Sequence, residues 1–214
     1  MLEVLCLDVA ELERLTDTLA PDVSASIAQL ARGVDHETFL GLAPLPPSTG
    51  VIALAERPVV DPAAVLADPR SLPLILLEDP RDLGNMGACV RVAAAADIGG
   101  VLTTGSHDPW QPDALRGAAG LHFALPVTRL DSLEALASSD RPLIALDPSG
   151  DPLHPAALPP RAMLAFGSER YGLSPGLLAR ADARASIPMR AGVSSLNLAT
   201  AVAAVLFAQR WPSA

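Results

Sequence analysis

Beyond residue 73, short apolar runs alternate with longer stretches of helical spacing. Residues 74–77, 100–103, 143–146 and 163–166 are four-residue runs that predict buried strands, and residues 86–97 carry helical spacing between the first two. This alternation predicts an α/β unit, a mostly parallel sheet with helices on both faces, whose ligands bind in loops beyond the carboxyl ends of the strands. The loops after Leu77, Phe166 and Ile187 are the places that rule selects. Before residue 58 the pattern is thinner: residues 3–7 and 50–55 predict strands and residues 9–19 and 24–32 predict helices, together a small N-terminal α/β unit. Between the two, Pro58, Pro62, Pro69 and Pro73 with Asp61 and Asp68 punctuate residues 58–73. Such a stretch predicts a linker separating a domain of residues 1–57 from one of residues 74–214.

Half of the 214 residues are apolar, enough to bury a substantial core. No window reaches the roughly 18 consecutive apolar residues of a membrane-spanning helix; the strongest, residues 196–208, contains Asn197 and Thr200. Glu3 and Asp8 stand where an export signal would carry a basic start, so a cytoplasmic protein is expected, with Cys6 and Cys89 as free thiols. The net charge of −9 argues against nucleic acid until its distribution is considered. Residues 1–70 hold 11 acids against 4 arginines, whereas residues 71–214 hold 13 acids against 11 arginines. The acidity therefore belongs to the first third of the chain. Every cationic residue is Arg, the planar bidentate phosphate ligand, although genomic base composition accounts for that bias more simply.

Common catalytic signatures are missing. There is no dinucleotide G-x-G-x-x-G, no phosphate-binding G-x-x-x-x-G-K, no H-E-x-x-H and no C-x-x-C, and His36, His107, His122 and His154 lack ligand spacing, so no metal is expected. Ser168, Ser194 and Ser195 lack the G-x-S-x-G frame of a nucleophile elbow. Three segments remain that combine glycine, polar side chains and strand ends. In residues 78–91, EDPRDLGNMGACVR, Gly84 and Gly87 permit tight backbone geometry, Asn85 can cap the following helix, and Arg91 falls about one and two-thirds turns into it. In residues 165–174, AFGSERYGLS, Glu169 stands in a loop where a carboxylate can orient a cation or accept a ligand hydroxyl. In residues 187–210, Ser194 or Ser195 is an N-cap candidate, and the helix beyond is apolar on every face, which predicts burial by the domain and by a second subunit. A capped core helix would use one serine and leave Ser195 and Asn197 together without a purpose.

Taken in this order, the three segments resemble the motifs of the SpoU/TrmH family of knotted RNA methyltransferases. N-M-G-A-C-V-R at Asn85–Arg91 fits the first, G-S-E with G-L-S between Gly167 and Ser174 fits the second, and I-P-M with S-L-N between Ile187 and Asn197 fits the third. PDALRGAAGLHFALPV, with Arg116 and Gly120, resembles the connecting segment. The resemblance implies a C-terminal trefoil knot, a homodimer with active sites at the subunit interface, and methyl transfer from S-adenosylmethionine to a ribose 2′-hydroxyl of ribosomal or transfer RNA. It implies a donor site at Leu164, Phe166, Gly167, Ser168, Glu169, Ile187, Met189, Ser195, Leu196 and Leu198, with RNA met by Arg91 and Arg116.

By the same resemblance, Arg91 acts on the attacking hydroxyl, Glu169 orients Arg91, and Asn85, Ser195 and Asn197 position substrate, Arg or donor. A guanidinium with a pKa above about 12 is a poor proton acceptor, so Arg91 is expected to stabilise the developing alkoxide while an RNA phosphate or water takes the proton. Ala118 departs from the family, where many relatives carry Ser. Relatives often carry a ribosomal-protein-like RNA-binding domain ahead of the catalytic one. Residues 50–55 resemble its last strand, but residues 1–49 are short and acidic for the rest. Seven aromatics are few for a base-stacking platform. Two other readings stay open: a non-catalytic RNA-binding or ribosome-assembly factor whose acidic N-terminal region binds a protein, and a knotted enzyme acting on a small molecule or a base nitrogen.

Overall fold

A computed structural model describes residues 1–154 and 158–210; residues 155–157 and 211–214 of the expected second domain lie outside the described residues. The chain forms two compact units, Met1–Val59 and Val60–Ala214.

In the first unit, β1 (Glu3–Cys6), α1 (Val9–Leu19), α2 (Ser24–Leu30), β2 (Ala31–Gly33), α3 (His36–Gly41) and β3 (Val51–Leu54) follow in order. Strand β1 is central, parallel to β2 and antiparallel to β3. Asp8 caps α1 by accepting from the Glu11 amide at 3.1 Å, and Val4, Cys6 and Leu12 form a small core. The helix expected over residues 24–32 ends at Leu30. Residues 31–33 find ladder partners on β1, and this tertiary pairing outweighs the helical spacing.

The second unit contains α4 (Pro62–Leu66), β4 (Leu74–Leu77), α5 (Leu83–Ala95), β5 (Gly100–Thr103), α6 (Pro112–Gly117), β6 (Val127–Arg129), β7 (Leu143–Pro152), β8 (Met163–Phe166), α7 (Pro175–Arg180), β9 (Ala183–Ser186) and α8 (Leu198–Arg210). Its strands form one parallel sheet in the order β6-β5-β4-β8-β7-β9. Side chains alternate across the sheet, so Ile75, Leu77, Leu164 and Phe166 pack with α5 and α8, while Leu74, Leu76, Met163 and Ala165 pack with α4 and α7. Burial on both faces is why β4 and β8 are unbroken apolar runs and why β5 carries a single polar residue, Thr103.

One expectation changes here. Residues 58–73, read as a linker, contain α4: Asp61 caps it, Pro62 occupies its first turn, and Val65 and Leu66 are buried in the second unit. Arg141, only 4% exposed, then binds the segment that follows, donating to the carbonyls of Leu66, Asp68, Leu72 and Arg161 at 2.7–3.2 Å. Helix α8 is not enclosed on all sides by its own chain. Leu198, Val202, Val205 and Leu206 face the core, whereas Thr200 and Ala204 are exposed. No helix among the described residues is long and apolar enough to cross a membrane.

Candidate functional site

The carboxyl ends of β7, β8 and β9 open onto a cleft of about 350 Å³. Phe166, Gly167, Ser168 and Glu169 line it from the β8 loop, Ile187 and Met189 from the β9 loop, and Ser195, Leu196 and Leu198 from the entry to α8. These are nine of the ten positions expected to hold a donor. The tenth, Leu164, is fully buried within β8 and turns its side chain into the core beneath α5 and α8, so it does not line the cleft. Asp147 and Pro148 also line the cleft, where β7 bulges between Leu146 and Asp151, and sequence reasoning missed them. The signal available was their position just past an apolar strand run. Ser149 donates to the Asp147 carboxylate through its amide at 2.9 Å and through its hydroxyl.

The wall carrying Glu169 is held rigidly. Ser168 and Gly172 exchange reciprocal backbone hydrogen bonds at 3.0 and 3.1 Å, making a tight hairpin, and Gly172 takes a φ of +66° that side chains disfavour. A Cβ on Gly167 would lie 2.0 Å from the Gly172 carbonyl carbon, so the chain crosses itself there only because that position is glycine. Behind the hairpin, the buried Glu78 carboxylate at the end of β4 accepts from the Ser174 amide and hydroxyl, both at 2.6 Å. Ser174 in turn caps α7. Glu78 therefore pins the first motif segment to the second, a role the sequence did not disclose although the carboxylate directly follows the apolar β4 run.

Asn85, Glu169 and Asn197, expected as site residues from three separate motifs, are joined in one chain of hydrogen bonds. Asn85 Nδ2 donates to Glu169 Oε1 at 3.1 Å, and Asn197 Nδ2 donates to Asn85 Oδ1 at 2.9 Å. Asn197 Oδ1 accepts from the Ala199 and Thr200 amides at 3.0 and 3.3 Å, which makes Asn197 the N-cap of α8. This corrects the expected cap at Ser194 or Ser195; both serines line the cleft instead. Asn85 is likewise not a cap. Asp82 caps α5 by accepting from the Asn85 amide at 2.7 Å, which leaves the Asn85 side chain free for the relay.

Arg91 stands apart. It is exposed on α5, and among the described residues no hydrogen bond or ion pair joins it to Glu169, whose other contact is the Arg81 amide at 3.4 Å. Six residues along a helix place Arg91 about 9 Å further along the axis and about 120° around from Asn85. Within one chain, Glu169 thus accepts from Asn85 and makes no hydrogen bond or ion pair with Arg91 among the described residues. Arg116 lies outside the cleft on α6, where it pairs with Asp113 and is half exposed. The rest of the connecting segment is structural: buried His122 contacts the Pro109 carbonyl at 2.8 Å and packs 5.0 Å from the Trp110 ring, and burial lowers its pKa. Ala118 is buried beneath α5, away from the cleft.

The cleft has room for a nucleoside-sized ligand and a lining that mixes apolar walls with polar groups. Its volume falls at the lower end of small-molecule sites, Phe166, Ile187, Met189 and Leu198 offer apolar walls, and the crossing at Gly167 brings bare backbone to its surface. The buried thiol of Cys89, raised in pKa by its surroundings, is poorly suited to nucleophilic chemistry.

Comparison with known proteins agrees with this geometry. A model of the SpoU rRNA methylase family matches residues 73–207. An uncharacterized tRNA/rRNA methyltransferase of Synechocystis is 35% identical over 142 residues, covering 64% of this chain and 52% of that protein. A 23S rRNA (uridine(2479)-2′-O)-methyltransferase of Streptomyces viridochromogenes is 31% identical over 144 residues, covering 62% and 50%. The chain thus spans about half the length of these relatives. Among solved structures, the SpoU methyltransferase AviRb from Streptomyces viridochromogenes in complex with AdoMet superposes with a TM-score of 0.75 at 26% identity, over 97% of this chain and 81% of that one. An RNA 2′-O ribose methyltransferase superposes at 0.74 with 28% identity, over 98% and 82%.

Proposed function

Because the chain belongs to the SpoU rRNA methylase family, we propose that it transfers the methyl group of S-adenosylmethionine to a ribose 2′-hydroxyl of ribosomal or transfer RNA. The observation that carries this reading is the hydrogen-bonded chain from Asn197 through Asn85 to Glu169, which lines a donor-sized cleft. A binding factor with no chemistry to perform has no use for that relay. Phe166, Gly167, Ser168, Ile187, Met189, Ser195, Leu196 and Leu198 would hold the donor, which supplies a methyl group already activated on a sulfonium. Its chemistry asks little of the protein beyond placing the hydroxyl in line and stabilising charge as it develops on oxygen.

Arg91 supplies that charge stabilisation, and the hydroxyl proton leaves to an RNA phosphate or water. As Arg91 does not reach Glu169 in its own chain, we assign it to the cleft of a second copy in a homodimer. The open face of α8, with Thr200 and Ala204, suits such an interface. The loops after β8 and β9, returning against one another beside α8, are where the trefoil knot of the family belongs. Buried free thiols at Cys6 and Cys89 suit the cytoplasm. The N-terminal unit holds 9 acids against 3 arginines over residues 1–59, which suits a basic protein surface better than a phosphate chain. It serves as the docking element that selects the RNA through its protein partners.

Methyl transfer from labelled donor to RNA lacking the modification tests the proposal. Arg91→Ala is expected to lower the rate at least about 100-fold while leaving donor affinity within twofold by calorimetry. Loss of donor binding would refute the assigned role. Mixing Arg91→Ala with Glu169→Ala protein should restore about a quarter of wild-type activity if the two residues meet across copies; no restoration would place them in one chain.

A further inference from the structure

The hairpin that carries Glu169 also carries a feature the reaction described so far does not use. Tyr171, the one tyrosine of the chain, is 71% exposed at its tip. Arg170 and Gly172 on either side line the cleft, so the ring stands on the outer side of its rim. The backbone beneath it is tied down: the Tyr171 amide donates to Ser168 Oγ at 3.3 Å, the Ser168–Gly172 bridge closes the loop, and Gly167 lets the two arms of the hairpin approach closely. The Arg170 guanidinium lies 5.3 Å from the ring centroid, a cation–π arrangement. Elsewhere among the described residues, Phe39 is buried, Phe166 lines the cleft, and Trp110 and the partly exposed Phe123 pack against each other. Tyr171 contributes nothing to its own chain's core, and its place on the rim suits a ligand with a flat face.

We propose that Tyr171, with Arg170 beside it, is the stacking platform for an unstacked RNA base next to the methylated ribose. This rests on the methyltransferase reading above and names how that site holds its substrate. A ribose hydroxyl can enter the cleft only if its nucleotide is splayed from its neighbours, and unstacking costs a few kcal/mol. Stacking on an aromatic ring returns part of that cost for any base, since every base has a π face. Tyr171 is two residues from Glu169, a separation of about 7 Å along the chain, so a base on the ring leaves its own or the adjacent ribose beside the relay. Arg170 lies over one face of the ring, leaving the other face for the base, and offers its remaining donors to a phosphate of the same strand.

The test uses full-length protein and the RNA that wild type methylates. Tyr171→Ala is expected to raise the RNA KM about tenfold with S-adenosylmethionine affinity within twofold, and Tyr171→Phe, which keeps the ring, to stay within about threefold of wild type. In a Tyr171→Trp variant, the added emission should be quenched by a single-stranded oligouridylate of about ten nucleotides. An unchanged KM in Tyr171→Ala overturns the platform. So does a parallel loss of donor affinity, which would mean a structural role, or dissociation of a dimer on a sizing column, which would mean that the ring packs against a second copy. Wild type that methylates no RNA refutes the reaction instead; the platform then stands or falls on the quenching alone.

Discussion

Asn85 is the residue on which three motifs depend, because its amide has no freedom of orientation. Nδ2 must face the Glu169 carboxylate and Oδ1 must face Asn197 Nδ2, whose own oxygen is committed to the α8 amides. Replacing the amide with a carboxylate reverses one of these contacts. Asn85→Asp is therefore expected to lose about 0.5–1.5 kcal/mol of stability at neutral pH, more than Asn85→Ala, through repulsion of Glu169. Its methyl transfer should fall by about tenfold or more. The stability deficit should shrink in acid, as the two carboxylates come to share a proton. Thermal melts from pH 7 to pH 4 check this; a deficit independent of pH would mean that the two side chains do not face each other in solution. Family resemblance picked out Asn85, Glu169 and Asn197, but their connection was not legible. Ser194, Ser195 and Asn197 are all good cap formers within four positions, as are Asp82 and Asn85 near α5. Only the helix start observed in three dimensions decides which side chain is consumed as a cap and which is left for the site.

Among the elements, α5 shows that motif glycines can serve packing instead of turns. A Cβ on Gly87 would lie 2.1 Å from the Ala114 carbonyl oxygen and 2.9 Å from the Ala118 nitrogen, so α5 and α6 approach to backbone contact there. Gly84, a turn earlier, meets only Asp82 Oδ1 at 3.1 Å. Gly87→Ala is accordingly expected to cost about 1–3 kcal/mol or more, lowering Tm by several degrees. Gly84→Ala should stay within about 1 kcal/mol, since helix propensity offsets the tight contact with the cap. Comparable Tm values for the two would show that the helices separate readily. The same physics decides which elements could be read in advance. Strands β4 and β8 were legible because burial on both faces makes them wholly apolar, and β5 because only Thr103 departs from that pattern. Strand β9, Ala183–Ser186, and strand β6, Val127–Arg129, were not, because edge strands with polar faces carry no such run. Helix α4 was hidden because Pro62 at its first turn looks the same as a linker proline until Val65 and Leu66 are seen buried.

At the scale of the molecule, charge and chemistry are divided between the two units. All the cleft residues fall between Leu146 and Ala201, within the second unit, whereas the first unit carries most of the net negative charge. The acidity was legible in the sequence. The apolarity of residues 198–210 and the family resemblance already pointed to a second subunit, but which face of α8 its own chain leaves open became visible only in three dimensions. On the proposed function, an acidic unit in the same chain as the methyl-transfer site would repel free RNA and attract basic proteins, which would favour a substrate already assembled with protein. Deleting residues 1–59 should leave donor affinity within twofold, because no cleft residue is removed. Transfer to naked RNA should persist, and at low salt rise, as the repelling charge goes. Transfer to the same RNA within a ribonucleoprotein particle should fall about tenfold, the loss of one modest docking contact. Rates on naked and assembled substrate, compared at two salt concentrations, separate the possibilities. An equal fall on both would make the unit a direct RNA reader, while unchanged rates on both would remove it from substrate choice altogether.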